Sequence, residues 1–113
     1  MIRNVLNILL SFLFLIFDYP VYSHEFTPKD IEKYTLKISN KFSRTYCNTT
    51  NFGISKDGAL SFSILETNKE FSKNKLNKFI DYELLNNSIL LSLENKCQIF
   101  DFPVDELKKL TFD

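Results

Sequence analysis

Ile31, Tyr34, Ile38, Phe42 and Tyr46 recur every three or four positions, the spacing that lines one face of an α-helix. Thr27-Pro28-Lys29-Asp30 supplies the start: a capping hydroxyl, a proline whose missing N–H does no harm at the first turn, and an acidic side chain at the positive helix end. The pattern predicts a helix from Pro28 to about Cys47, with Leu36 on its other side. Asn48 to Gly53 reads as a turn-rich break.

Ser55 can cap a second helix over about Lys56 to Phe71. Leu60, Ile64 and Phe71 share one face while Phe62 and Leu65 point nearly opposite, so this helix is expected to be covered on two sides and to be the central element. Gly58 near its start suggests close helix approach. Ser72 to Lys78 reads as a polar loop. Beyond it, Ile89, Leu90, Leu93 and Cys97 predict a third helix, capped by Asn87 or Ser88, that carries Cys97 towards the end of the first. Phe79 to Leu85 fits either a preceding helical turn or a short extended segment. A last short helix is expected after Phe102-Pro103, with Asp105 and Glu106 at its start and Lys108 and Lys109 at its end, and Phe112 is expected to fray.

The first 23 residues follow a different rule. Arg3 precedes an apolar run from Val5 to Phe17, broken by Asn7 and Ser11 and ended by Asp18; Val21 and Ser23 then stand where a signal peptidase requires small residues. The run falls short of the ~20 apolar residues that span a bilayer comfortably. Residues 1–23 therefore read as a cleaved signal peptide and 24–113 as one small helical domain beginning at His24. The alternative is an uncleaved anchor, which would make the chain a single-pass membrane protein displaying its domain outside the cytoplasm.

Export makes the cysteines interpretable. Cys47 and Cys97 are the only two, and in an oxidising compartment an even count implies pairing. Two distant cysteines and one histidine resemble no zinc spacing, and there is no Cys-x-x-Cys. The fold expected is all-α, a small three- to four-helix domain with a Cys47–Cys97 disulfide after an N-terminal signal segment.

Charge is balanced in total but uneven along the chain: Lys29 to Lys78 is basic and Phe79 to Asp113 acidic, which the simplest account explains as attraction within one fold. Lys33, Lys37, Lys41 and Arg44 recur at helical spacing and form a basic stripe, either a solvated face or an interaction face for an acidic partner, an anionic membrane surface or nucleic acid. Export and the lack of a net basic excess argue against nucleic acid. Abundant Asn, Lys, Ile and Phe with scarce Ala and Gly resemble the product of an AT-rich genome.

No catalytic set assembles. His24 is the only histidine, which leaves no nucleophile relay and no two-histidine metal site. Copper at an N-terminal His24 would need further ligands. Glu66 and Glu70 lie one turn apart, but Lys69 and Lys73 follow at neighbour spacing and suggest a solvated ion-pair face. Gly53 and Gly58, the only glycines, build no phosphate loop. Asn48-Thr49-Thr50 and Asn86-Asn87-Ser88 match the glycan acceptor pattern.

Tyr46-Cys47-Asn48, Asn51-Phe52-Gly53-Ile54-Ser55-Lys56, Ala59-Leu60, Glu66-Thr67-Asn68, Glu70-Phe71 and Lys96-Cys97 together resemble small exported proteins of marine cyanobacteria with AT-rich genomes. The resemblance covers the central half of the chain and implies a compartment, periplasm or thylakoid lumen, without a fold, substrate or site residue. The expected function is that of a non-enzymatic binding or accessory subunit, with no cofactor, a protein as its partner, and membrane contact only through an uncleaved N-terminal segment.

Overall fold

The structure is a computed structural model and describes residues 26–112. The signal segment and His24 lie outside the described residues. Helix α1 (Pro28–Asn51) begins with a capping box: Thr27 Oγ1 accepts from the Asp30 amide at 3.2 Å, and Asp30 Oδ2 accepts from the Thr27 amide at 3.1 Å. The helix runs one turn beyond Cys47, where the sequence suggested a break. Thr45, Thr49 and Thr50 donate their hydroxyls to carbonyls one turn earlier, on Lys41, Thr45 and Tyr46, so they are satisfied on the helix instead of competing with it. The turn itself is confined to Phe52 and Gly53, and Gly53 takes a φ of +90°.

Helix α2 (Lys56–Phe71) is capped by Ser55, whose Oγ accepts from the Gly58 amide at 3.1 Å. A Cβ on Gly58 would sit 3.1 Å from both Ile54 Cγ2 and Ser55 Oγ, so the glycine makes room for the helix's own cap and not for a neighbouring helix. Leu60, Ile64 and Phe71 are buried as expected, joined by Ala59, Ser63 and Thr67. Phe62 and Leu65 are exposed: α2 is covered on one side only, which corrects the expectation of two.

A 3₁₀ turn over Lys75–Phe79 follows, then extended Ile80, then helix α3 (Tyr82–Cys97). Its cap is Asp81, whose Oδ1 accepts from the Glu83 and Leu84 amides, so neither Asn87 nor Ser88 starts the helix. Leu85 thereby joins Ile89 and Leu93 on one fully buried stripe. Gln98, left-handed at φ 53°, ends α3. The final element is a 3₁₀ turn, Val104–Lys109.

α1 is the central helix, not α2. It packs against both α2 and α3, which make almost no direct contact with each other. The segment after α3 fills the space they leave. Phe102 meets Phe42 and Tyr46 of α1 edge-on, Phe112 meets Phe71 of α2 edge-on and stacks on Tyr82 of α3, and Leu107 and Leu110 are buried between them. Phe112, expected to fray, is 1% exposed. Asparagine side chains hold this tail by serving its backbone: Asn68 donates to the Lys109 carbonyl and accepts from the Thr111 amide, both at 3.0 Å, and Asn77 donates to the Phe112 carbonyl.

The α1–α3 seam is polar. Ser88 donates to Ser39 Oγ at 2.9 Å, and the Ser43 and Ser92 hydroxyls lie 2.6 Å apart one turn further on. Ser43 also donates to the Ser39 carbonyl, so Ser92 supplies the proton of the second rung. Cys47 continues this row of small residues down α1, and it forms the expected disulfide with Cys97, Cα to Cα 5.8 Å. Such a bond is compatible with an oxidising compartment. Among the described residues no helix is long and apolar enough to cross a membrane.

Candidate binding site at the disulfide end of the bundle

Beside the disulfide, the C-terminal ends of α1 and α3, the N-terminal turn of α2 and the start of the tail leave a cleft of about 650 Å³. Such a volume suits a small organic group or a side chain. Its apolar wall comes from Leu60, Ile99 and Phe102, and its charged rim from Lys56, Asp57 and Asp101. Tyr46 also lines it: the residue is 3% exposed, its ring packs edge-on against Phe102 at 5.2 Å, and its hydroxyl makes no hydrogen bond to any described residue. Burial pushes the Tyr46 hydroxyl above its ordinary pKa, and Asp101 and then Asp57 add to the rise through their negative charge.

Next to the cleft stands an apolar corner. Phe52 in the α1–α2 turn is 87% exposed, with Ile54 and Phe62 exposed beside it around a shallower hollow also lined by Asn48. Ile54 belongs to both, which makes cleft and corner one continuous surface.

The basic stripe lies elsewhere. Lys33, Lys37 and Arg44 are exposed, and Lys41 is half-buried with its Nζ 3.8 Å from Glu70 Oε1 on α2. Lys33 and Lys37 border a hollow with Asp30, Tyr34 and Glu70, so acidic groups stand among the basic ones. Glu70 thus turns to α1 and not to Lys73, which lies beyond the helix end in a left-handed conformation, φ 65°. Of the two glycan acceptor positions Asn48 is exposed, whereas Asn86 Oδ1 is shut off from solvent. Among the described residues no group of three or more His, Cys, Asp or Glu side chains is placed to hold a metal ion.

The cleft residues were visible in the sequence only one at a time. Tyr46 belongs to the periodic apolar face of α1, Asp57 sits in the first turn of α2 as acids commonly do, and Asp101, in the segment before Phe102, follows no period. Their meeting depends on the tail folding back along α1. No family model matches the chain, and comparison with curated proteins and with solved structures finds no match.

Proposed function

We propose that this protein is a non-enzymatic exported binding or accessory subunit, working in a periplasm or thylakoid lumen and docking a protein partner at the corner formed by Phe52, Ile54 and Phe62. The observation that carries the reading is Phe52: a phenylalanine 87% exposed, with Ile54 and Phe62 also exposed around the same hollow and next to a cleft, whereas the rings Tyr34, Phe42 and Tyr46 on α1 itself are buried. Clustered exposed apolar surface favours association. The Cys47–Cys97 pairing agrees with an oxidising compartment, and the Arg3 to Ser23 segment supplies the route there.

Site-specific photocross-linking in the native compartment tests it. A photoreactive residue at position 52 should give one discrete adduct that Phe62→Ser weakens, whereas the same group at Glu83, exposed on α3, should give none. Equal labelling from both positions, or none from 52, rejects the reading. Amino-terminal sequencing reports the form at work: a start at His24 marks the released domain, and a retained Met1 the anchored one.

A further inference from the structure

We propose that the cleft beside the Cys47–Cys97 disulfide binds a primary alkylammonium group, such as a lysine side chain, held between Asp57 and Asp101 with the Tyr46 hydroxyl as an acceptor. The proposal rests on the binding-subunit reading above and gives that partner a chemistry.

Several independent features select a cation. Tyr46 is almost wholly buried and lines the cleft, and its hydroxyl, with no hydrogen-bond partner among the described residues, is reached by solvent, so the cleft offers an oxygen acceptor open to a bound donor. Asp57 and Asp101 border the same space, and both act on that hydroxyl through their charge, which places all three groups within electrostatic reach of one bound ion. The helix ends add to this. Thr50 and Asn51 at the end of α1 and Cys97 and Gln98 at the end of α3 line the cleft, so two negative dipole ends face it, and α1 has no basic side chain in its last turn.

Three features oppose a cation. α2 presents its positive N-terminal end, Lys56 stands at the rim, and Lys96 occupies the last turn of α3, offsetting the negative end of that helix. The first is countered locally by the Ser55 cap and by Asp57 in the first turn, and Lys56 and Lys96 are both exposed and free to swing into solvent. Asp101, the C-terminal end of α1 and the cleft-facing hydroxyl then remain as a net attraction for positive charge.

Size decides which cation. The volume far exceeds that of a bare metal ion, and no metal-ligating cluster is present among the described residues. Leu60, Ile99 and Phe102 offer an apolar wall that suits an alkyl stem, with aromatic rings close to where its charged head would rest.

The test is a titration of the full oxidised chain, in mild non-ionic detergent, followed by amide chemical shifts. The probes are Nα-acetyl-lysine methylamide, its neutral Nε-acetylated counterpart, and n-butylammonium. The charged lysine compound should give saturable shifts at Tyr46, Asp57, Gln98 and Asp101, and the neutral one none there. Asp57→Asn with Asp101→Asn should weaken binding about tenfold, and Tyr46→Phe, which keeps the ring, about fivefold. Butylammonium binding as tightly as the lysine compound would point to a free amine as the source, and binding tenfold weaker to a peptidyl lysine. Equal shifts from charged and neutral probes, no saturation, or unchanged affinity in the carboxylate variants overturns the proposal, provided each variant keeps its helical circular dichroism and its disulfide. Failure here with a discrete adduct at position 52 removes the cation site and keeps the partner; the converse removes the docking corner.

Discussion

Asn77 sits in what looked like a polar loop, yet its side chain ties three parts of the fold together. It accepts from the Tyr34 hydroxyl at 2.5 Å and donates to the carbonyls of Phe71 and Phe112 at 2.9 and 2.6 Å. Asn77→Ala leaves the Tyr34 phenol with only its long 3.5 Å bond to the Phe71 carbonyl and removes the donor to the Phe112 carbonyl, and should lower unfolding free energy by about 1 to 3 kcal/mol in urea titrations; a loss under 0.5 kcal/mol would show that water replaces the amide without penalty. Tyr34 supplies a pH signature. Burial, and to a lesser degree the nearby Tyr82, push its hydroxyl from 10.0 up to about 12. Below pH 10 both folded and unfolded chains keep the proton; above it the unfolded chain releases it first. Stability should therefore be full below pH 10 and fall as pH rises towards 12. Tyr34→Phe should flatten that decline, with Tyr46, also raised, leaving part of it. An unchanged slope in the variant would dismiss the buried phenol as its source.

At the scale of elements, the sequence revealed whatever repeated with a helical period. The buried face of α1, the extent of α2 and the inward stripe of α3 through Ile89 and Leu93 were all legible, because burial on one side imposes the spacing directly. Phe62 and Leu65 misled for the same reason: apolar side chains at a helical spacing look like a second packed face whether or not anything covers it. The tail was illegible because Phe102, Leu107, Leu110 and Phe112 follow no single period and are fixed by contacts to three different helices. The serine seam escaped notice because small polar residues look solvated in a linear chain; only pairing Ser39 with Ser88 and Ser43 with Ser92 gives them an interior role. That seam predicts an asymmetry. Ser43→Leu forces bulk between closely packed helices and should cost about 1 to 3 kcal/mol from overpacking, in addition to the lost bond to Ser92. Leu36→Ser, on the exposed side of the same helix, should change stability by less than about 0.5 kcal/mol.

For the whole molecule, the disulfide joins the last turns of α1 and α3 across a sequence separation of 50. A loop of that length confines the unfolded chain, and the chain-entropy treatment assigns the bond about 4 kcal/mol, a large part of the stability of so small a domain. Reduction with dithiothreitol should lower the thermal midpoint by more than 10 °C, read by circular dichroism at 222 nm, on the basis of roughly 4–8 °C per kcal/mol for a domain of this size. A shift below 3 °C would mean that the serine seam and the tail hold α3 in place without it. Among the described residues, the uneven charge along the chain is not matched by pairing between its two parts: Lys41–Glu70 lies within the basic first part and Lys109–Glu106 within the acidic last one, and their partly exposed ends contribute little.

The same bond determines what a protease can accomplish. The exposed stretch from Ser72 to Lys75, with Lys73 in a left-handed conformation, is the most open backbone between α2 and α3, and it lies inside the loop that Cys47 and Cys97 close. A trypsin-like cut at Lys73 would sever the chain without separating its halves. The nicked protein should migrate as one species on a non-reducing gel and split in two only after reduction, so damage to the backbone and loss of the molecule become two events, the second governed by the redox state of the compartment.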